Sequence, residues 1–171
     1  MAQENSKPVK RSHEFILLAL LFTLFVYIAL DRIWDLRIEA ERSHVSWSFG
    51  SMQSALATTV MARIASGRIE TLNQLGGSNP FSLMTNLPPT YLGELSSPSL
   101  ADLPPRSWYF DRDRGELIYR IGEEEAFPAL FNSEPLLRFY IYFAYQDIDG
   151  DGLYDPLLDQ FTTIELRGNY R

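Results

Sequence analysis

Residues 15–30 form an uninterrupted apolar run, FILLALLFTLFVYIAL, that contains no charged side chain. At ~1.5 Å per helical residue, this run covers about 24 Å of a ~30 Å hydrocarbon layer. Extending it to Trp34 gives a segment of twenty residues, with Tyr27 and Trp34 placed to lie near a membrane boundary. We therefore predict a transmembrane helix over residues 15–34.

The charges that precede this run set its expected orientation. Lys7, Lys10 and Arg11 lie before it, and basic flanks stay on the cytoplasmic side of a membrane. Residues 1–14 are therefore predicted to be a cytoplasmic tail. The rest of the chain would lie outside the cytoplasm, as in a single-pass membrane protein. A cleaved signal peptide is the alternative interpretation, although no small-x-small cleavage site follows the run.

Composition narrows the range of functions. The chain of 171 residues has a net charge of −7 and contains no cysteine. The negative charge argues against a nucleic-acid partner, and the lack of cysteine removes disulfides and thiol chemistry. Nucleophile elbows, phosphate loops and dinucleotide fingerprints are also missing from the sequence. We therefore expect neither enzymatic activity nor a small-molecule substrate.

The segment after the apolar run predicts an amphipathic helix, because its apolar residues recur mostly three or four positions apart. It contains no proline, and it leads to Gly76-Gly77, which is a typical helix stop signal. We predict this helix over residues 35–75. The sequence leaves open whether it breaks near Gly50.

The remainder, residues 76–171, predicts a loop followed by a sheet. Residues 76–105 are rich in glycine, serine, asparagine and proline but keep large apolar side chains, which is typical of a long packed loop. Residues 108–110 and 116–121 flank a short connection that ends at Gly115, a pattern that predicts a β-hairpin.

A second pair of strands is predicted from residues 136–145, which are rich in aromatic residues, and residues 161–166, which alternate with period two. The expected fold class is α+β. In this fold the amphipathic helix packs on a small antiparallel sheet of about four strands, because each needs a cover for its apolar side.

An acidic segment, DIDGDGLYDPLLD at residues 147–159, separates these last two strands. Carboxylates at alternate positions with a glycine at the sixth are typical of a calcium-binding loop, although Leu158 stands where such a loop has a bidentate glutamate. We predict a structural Ca²⁺ ion. The candidate ligands are Asp147, Asp149, Asp151, Asp155 and Asp159. The alternative is a solvated Asp-Gly turn without a metal.

Two other acidic groups are interpreted without a function. The three glutamates at residues 123–125 predict a solvated loop. Asp111, Asp113 and Glu116 could be read as a catalytic cluster, but turn chemistry accounts for them.

The order of these elements resembles the type IV pilins and pseudopilins over nearly the whole chain. In addition, Asn79-Pro80, PPTYLGE at 88–94, and WYFD at 108–111 followed by LIY at 117–119 resemble the MshF family of biogenesis proteins. These proteins belong to the mannose-sensitive haemagglutinin (MSHA) type IV pilus. The resemblance implies a pilin-like fold in a protein of the bacterial inner membrane whose C-terminal domain faces the periplasm. It also implies a role in pilus assembly as an accessory or minor pilin-like component without known catalysis, with pilus assembly or pilin-like proteins as partners.

The chain also departs from the pilin pattern. Ser12-His13-Glu14-Phe15 stands where pilins have a Gly-Phe junction for the prepilin peptidase, and no acidic residue lies inside the apolar run. Both departures argue against peptidase processing and against incorporation into a filament. A membrane-tethered calcium-binding sensor or adaptor domain is the second functional interpretation, based on the acidic segment and the predicted anchor.

Overall fold

A computed structural model of the chain describes residues 9–130 and 134–169. Most of the predicted cytoplasmic tail, including Lys7 and the side chains of Lys10 and Arg11, lies outside the described residues. The chain divides into two compact units between Ala40 and Glu41.

The described part of the first unit is the beginning of helix α1 (Val9–Ala65). Every large apolar side chain of residues 15–30 is exposed; Phe15 and Phe25, for example, are 69% and 68% exposed. The helix is long and apolar enough to cross a membrane. An amino-terminal signal sequence shares these features. The prediction of an apolar helix near the amino terminus is confirmed.

The second unit contains the rest of α1 and a five-stranded sheet with the order β1-β2-β3-β4-β5. The strands are β1 (Tyr91–Leu95), β2 (Ser107–Asp111), β3 (Glu116–Arg120), β4 (Leu136–Gln146) and β5 (Gln160–Gly168). Short 3₁₀ helices span Ile69–Leu75, Pro80–Leu83, Leu100–Asp102, Glu124–Ala126 and Pro128–Leu130. The α+β layout is as predicted.

Helix α1 ends at Ala65 and not at Leu75, so the predicted helix end is wrong. Gly67 adopts a φ of +71°, and its N–H donates to the Ile64 carbonyl at 3.0 Å. The N–H of Arg68 donates to the Arg63 carbonyl at 2.8 Å. Together these bonds form a Schellman motif, which satisfies the last carbonyls of the helix. The helix is continuous through Gly50.

The sheet has one strand more than predicted, and it is not antiparallel throughout. Strand β1 lies within the predicted loop at 76–105 and pairs with β2 in parallel. Its register shifts between Tyr91 and Glu94, and Gly93 has a φ of +99°. This strand has only five residues, is irregular and follows Pro88-Pro89. Its sequence carries no clear period-two signal.

The two predicted strand pairs are confirmed. Strands β2 and β3 pair as an antiparallel hairpin, closed by a bond from the Gly115 N–H to the Asp111 carbonyl at 2.9 Å. Strands β4 and β5 also pair in antiparallel orientation, with the acidic segment between them.

One face of α1 covers the sheet. Val45, Met52 and Leu56 are buried on it, with Val45 and Met52 fully inaccessible. Farther along the helix, Ile64 is 41% exposed although it continues the same spacing of three or four residues. The sheet therefore covers the middle of the apolar stripe and leaves its end open.

The face of the sheet that receives the helix is aromatic, with Trp108 at its centre. Ring centroids of Tyr119, Phe81 and Phe139 lie 4.7, 5.2 and 5.5 Å from that of Trp108. The opposite face of β2 and β3 is also covered, because Leu103 is buried against Tyr109 and Ile118. Burial on both faces explains why β2 and β3 read as continuous apolar runs and not as alternating ones.

Truncating the helix side of this core should destabilise the second unit. We expect Met52→Ala to lower the free energy of unfolding by about 2–5 kcal/mol, because it removes a fully buried side chain and leaves a cavity. Met61→Ala is a matched control on the same helix, because Met61 is 69% exposed; its effect should stay within about 0.5 kcal/mol. Urea unfolding followed by tryptophan fluorescence measures both, and equal losses would contradict the packing described.

Candidate functional site

The acidic segment between β4 and β5 is shaped by its own carboxylates. Asp147 accepts hydrogen bonds from the N–H groups of Gly150 at 2.6 Å and Gly152 at 2.9 Å. Both glycines lie in the left-handed region, with φ of +77° and +76°, which side chains disfavour. Asp151 accepts from the Leu153 N–H at 2.7 Å. These bonds curl the backbone so that alternate carboxylates lie on one side.

Three of the five predicted calcium ligands come together. One carboxylate oxygen each from Asp147, Asp149 and Asp151 lies within 4.8 Å of the others, and all three residues are exposed. Asp155 and Asp159 are not part of this group. Asp159 is buried and accepts from two backbone N–H groups, those of Ile148 at 2.9 Å and Asp155 at 2.8 Å. It therefore closes the base of the loop.

The electrostatics of the cluster differ from one carboxylate to the next. The N–H groups of Gly150 and Gly152 lower the pKa of Asp147, because they stabilise its charged form. The bond from the Asp151 N–H acts in the same direction on Asp149, but it is outweighed by desolvation and by the charges of Asp151 and Asp159, so the pKa of Asp149 is raised. Repulsion within the loop thus acts on Asp149, and a cation would relieve it.

A second polar site, which the sequence did not reveal, surrounds Glu41 at the start of the second unit. Glu41 is only 4% exposed. Its carboxylate accepts from the Tyr119 hydroxyl at 3.0 Å and from the N–H groups of Gly122 and Glu123 at 2.7 and 2.9 Å. The Arg106 guanidinium lies 3.4 Å from it. Burial, followed by the Glu41 charge, raises the pKa of Tyr119 and keeps its hydroxyl protonated as a donor.

Arg106 reaches this site from an unusual backbone conformation. Its φ is +61°, which is uncommon for a residue with a side chain. The side chain passes over Gly122, where a Cβ atom would lie 2.5 Å from the Arg106 Cγ. It also forms an ion pair with Glu123 at 2.6 Å. Only glycine at position 122 leaves room for this arrangement.

The prediction of a solvated loop at residues 123–125 therefore needs correction for Glu123. Its side chain pairs with Arg106 and its N–H donates to Glu41, whereas Glu124 and Glu125 are exposed. Arg42 also donates to the carbonyls of Glu125 and Ala126, at 3.0 and 2.6 Å. The beginning of the second unit's helix thus contacts this loop through an acidic side chain, Glu41, and a basic side chain, Arg42.

His44 follows Glu41 by one helical turn and meets the aromatic core. The Trp108 indole N–H donates to His44 Nε2 at 3.3 Å, which requires the neutral ring to accept. Burial lowers the pKa of His44 below the ordinary value of 6.5, against the opposing effect of the Glu41 charge. His44 therefore serves as a neutral acceptor for the Trp108 indole N–H, which needs a hydrogen-bond partner because it is buried.

The Asp111 group follows turn chemistry, as the sequence suggested. Asp111 is buried and accepts from the N–H groups of Asp113 at 3.0 Å and Arg114 at 3.3 Å. The Asp113 carboxylate instead accepts from the Ser97 hydroxyl at 2.9 Å. These contacts stabilise the hairpin turn between β2 and β3.

Comparison with known proteins found no match to this chain. No protein-family description, curated protein or solved structure matches the chain. The function is therefore argued from the arrangement of the chain itself.

Removing the Glu41 carboxylate should destabilise the second unit strongly. We expect Glu41→Ala to lower the free energy of unfolding by about 3 kcal/mol, because it leaves buried donors without an acceptor. Glu41→Gln, which keeps one acceptor oxygen, should cost less. Glu124→Ala is the control, since Glu124 is exposed nearby. Thermal and urea unfolding would measure these differences, and a loss for Glu41→Ala no larger than for Glu124→Ala would refute this role.

Proposed function

We propose that this chain is a membrane-anchored, pilin-like accessory protein that supports biogenesis of an MSHA-type type IV pilus. The observation that carries the proposal is the order of elements along the chain. The first part of α1 exposes an apolar surface fit for a bilayer, and the part of α1 in the second unit covers the sheet. In the proposed topology the amino terminus is cytoplasmic, and the sheet lies on the periplasmic side of the bacterial inner membrane.

The segments that resemble MSHA biogenesis proteins support the proposal by their place in the fold. PPTYLGE at 88–94 leads into and forms most of β1, and WYFD at 108–111 forms most of β2. Within them Trp108 is the centre of the core and Asp111 caps the following turn. These motifs therefore correspond to structural positions, as expected for a resemblance in fold. Catalytic chemistry is not part of the proposed role.

Deleting the gene tests the proposed role directly. We expect the deletion strain to lose surface pili, as counted by electron microscopy, while growth and other envelope functions stay unchanged. A plasmid that carries the intact gene should restore piliation. A variant that lacks residues 15–34, exported by an unrelated signal peptide, should not restore it, because the second unit would then be free of the membrane. Normal piliation in the deletion strain would refute the proposal.

A second candidate function is a membrane-tethered calcium-binding sensor or adaptor. The exposed group of Asp147, Asp149 and Asp151 motivates it, since hard cations prefer several carboxylate oxygens. In this role Asp159 would keep the loop closed and would not be a ligand. A sensor also requires that binding change the conformation of the chain.

Calorimetric titration of the full chain in detergent with CaCl₂ tests this second function. If it holds, the intact chain binds about one Ca²⁺ with micromolar to millimolar affinity, and Asp149→Asn abolishes binding. Asp102→Asn is the control, because Asp102 is an exposed aspartate on a separate 3₁₀ helix. Circular dichroism should change on binding. Absence of heat up to millimolar CaCl₂ would exclude the calcium function and leave the pilus role untouched.

A further inference from the structure

The outer edge of β5 is a long strand edge with nothing beside it in the described chain. β5 contains nine residues and is the last strand in the sheet order, so it pairs with β4 on one side only. Its sequence has no proline and no lysine, two residues with which proteins commonly protect exposed edges. Among the described residues, nothing prevents this edge from accepting another strand.

The backbone groups that point outward can be identified from the neighbouring strand. The Gly77 N–H donates to the Ile141 carbonyl at 3.0 Å, so the Ile141 backbone points away from β5. Ile141 lies opposite Leu166, and antiparallel pairs alternate between bonded and non-bonded positions. The N–H and C=O of Leu166 therefore point to the outer edge. By the same alternation, those of Ile164 point there too.

A trough runs along this edge, between β5 and α1. One cavity of about 430 Å³ lies between Ala57, Val60 and Met61 on the helix and residues 161–166 of the chain. A second, of about 680 Å³, adjoins it near Phe49 and extends to residue 169. The two share Gln53, Glu165 and Leu166. The trough thus follows most of the strand, and its helical wall is apolar except for Gln53.

The two faces of β5 differ in chemistry. Leu166 pairs with the buried Ile141, on the face that meets the helix, and Ile164 lies on the same face. Glu165 and Arg167 point to the opposite face, where they form an ion pair at 2.6 Å. The Arg167 guanidinium also lies 3.5 Å above the Tyr142 ring. The edge therefore has an apolar side toward the trough and a side with both charge signs.

We propose that the β5 edge and its trough bind an extended segment of another protein, which adds a sixth strand to the sheet. The outward N–H and C=O groups of Ile164 and Leu166 would pair with its backbone. Alternate side chains of the segment are apolar and fill the trough beside Ala57. On the other face, the segment carries a base opposite Glu165 and an acid opposite Arg167. Charge complementarity thus sets its register.

A second copy of this chain fits less well. Two β5 edges could pair in antiparallel orientation about Leu166, with Glu165 of each opposite Arg167 of the other. The lining of the trough shows that the helix runs opposite to β5, so such a pair would place residue 41 of the two copies at opposite ends. The choice of a different protein as the occupant rests on the proposed membrane anchor, because two chains anchored in one membrane need those ends on the same side.

A peptide with the sequence of residues 160–168, QFTTIELRG, is a suitable probe. It carries the required alternation and charge order, and no membrane anchor restricts its direction. The intact full chain in detergent should bind the fluorescein-labelled peptide saturably in a fluorescence anisotropy titration. A scrambled peptide of the same composition should not bind.

Backbone methylation of the peptide distinguishes strand addition from apolar adsorption. N-methylation of its isoleucine and leucine amides removes the donors that face β5, whereas methylation of its second threonine and its glutamate alters only the far edge. Binding should weaken roughly tenfold or more for the first peptide and change little for the second. Equal binding by both methylated peptides, or no saturable binding by the parent peptide, would overturn the proposal.

Variants of the chain test the trough itself. Ala57→Arg should weaken peptide binding roughly tenfold by placing a charge in the apolar wall. Thr58→Arg is the matched control, because the adjacent Thr58 is exposed outside the trough, and it should leave binding unchanged. Circular dichroism checks that both variants fold. Equal effects of the two variants would refute the trough as the binding site.

The absence of cysteine allows a direct test for the second-copy alternative. In an otherwise cysteine-free chain, Leu166→Cys should stay monomeric on oxidation if the occupant is another protein. A disulfide-linked dimer in membranes would overturn the assignment to a different partner. None of these measurements depends on the pilus role, because piliation of the deletion strain and peptide binding can fail independently.

Discussion

The second unit is organised by the docking of one helical face on an aromatic sheet surface. Without the helix, Trp108 and the rings around it would face water, and a single sheet layer cannot bury them alone. Met52 provides apolar contact in the middle of this interface, while Glu41 fixes its beginning by accepting hydrogen bonds from the end of β3. Apolar burial is the dominant favourable contribution to folding in general, and the acceptor bonds of the buried carboxylate connect the helix to the residues that follow β3.

The elements that sequence predicts well are those with a strong local signal. The apolar run, the hairpin at Gly115 and the β4–β5 pair each carry a periodicity or a turn residue that few other structures would tolerate. Strand β1 carries neither, because Gly93 interrupts it and its pairing with β2 is parallel and distant in sequence. The predicted helix end is wrong because Gly76-Gly77 is the stronger stop signal in the sequence, whereas Gly67 closes a complete Schellman motif.

The polar sites show a similar division. Alternating aspartates are visible in the sequence, and three of them converge in the structure. The Asp159 side chain instead accepts from backbone N–H groups, and this role depends on how the loop closes, which sequence spacing does not specify. Glu41 gave no signal, since one glutamate in a charged helix looks solvated. A single clue was present, namely Gly122 beside the glutamate run, because a glycine in that position allows the Arg106 side chain to pass.

The place of Glu41 has a mechanical consequence. It is the first residue of the second unit, so a force applied to the helix at that end of the unit would reach this carboxylate before any apolar contact of the core. Its acceptor bonds and the Arg42 contacts to residues 125 and 126 lie side by side at that point. A pull on the helix would therefore have to break several polar bonds together, and the aromatic core behind them would be shielded from the load.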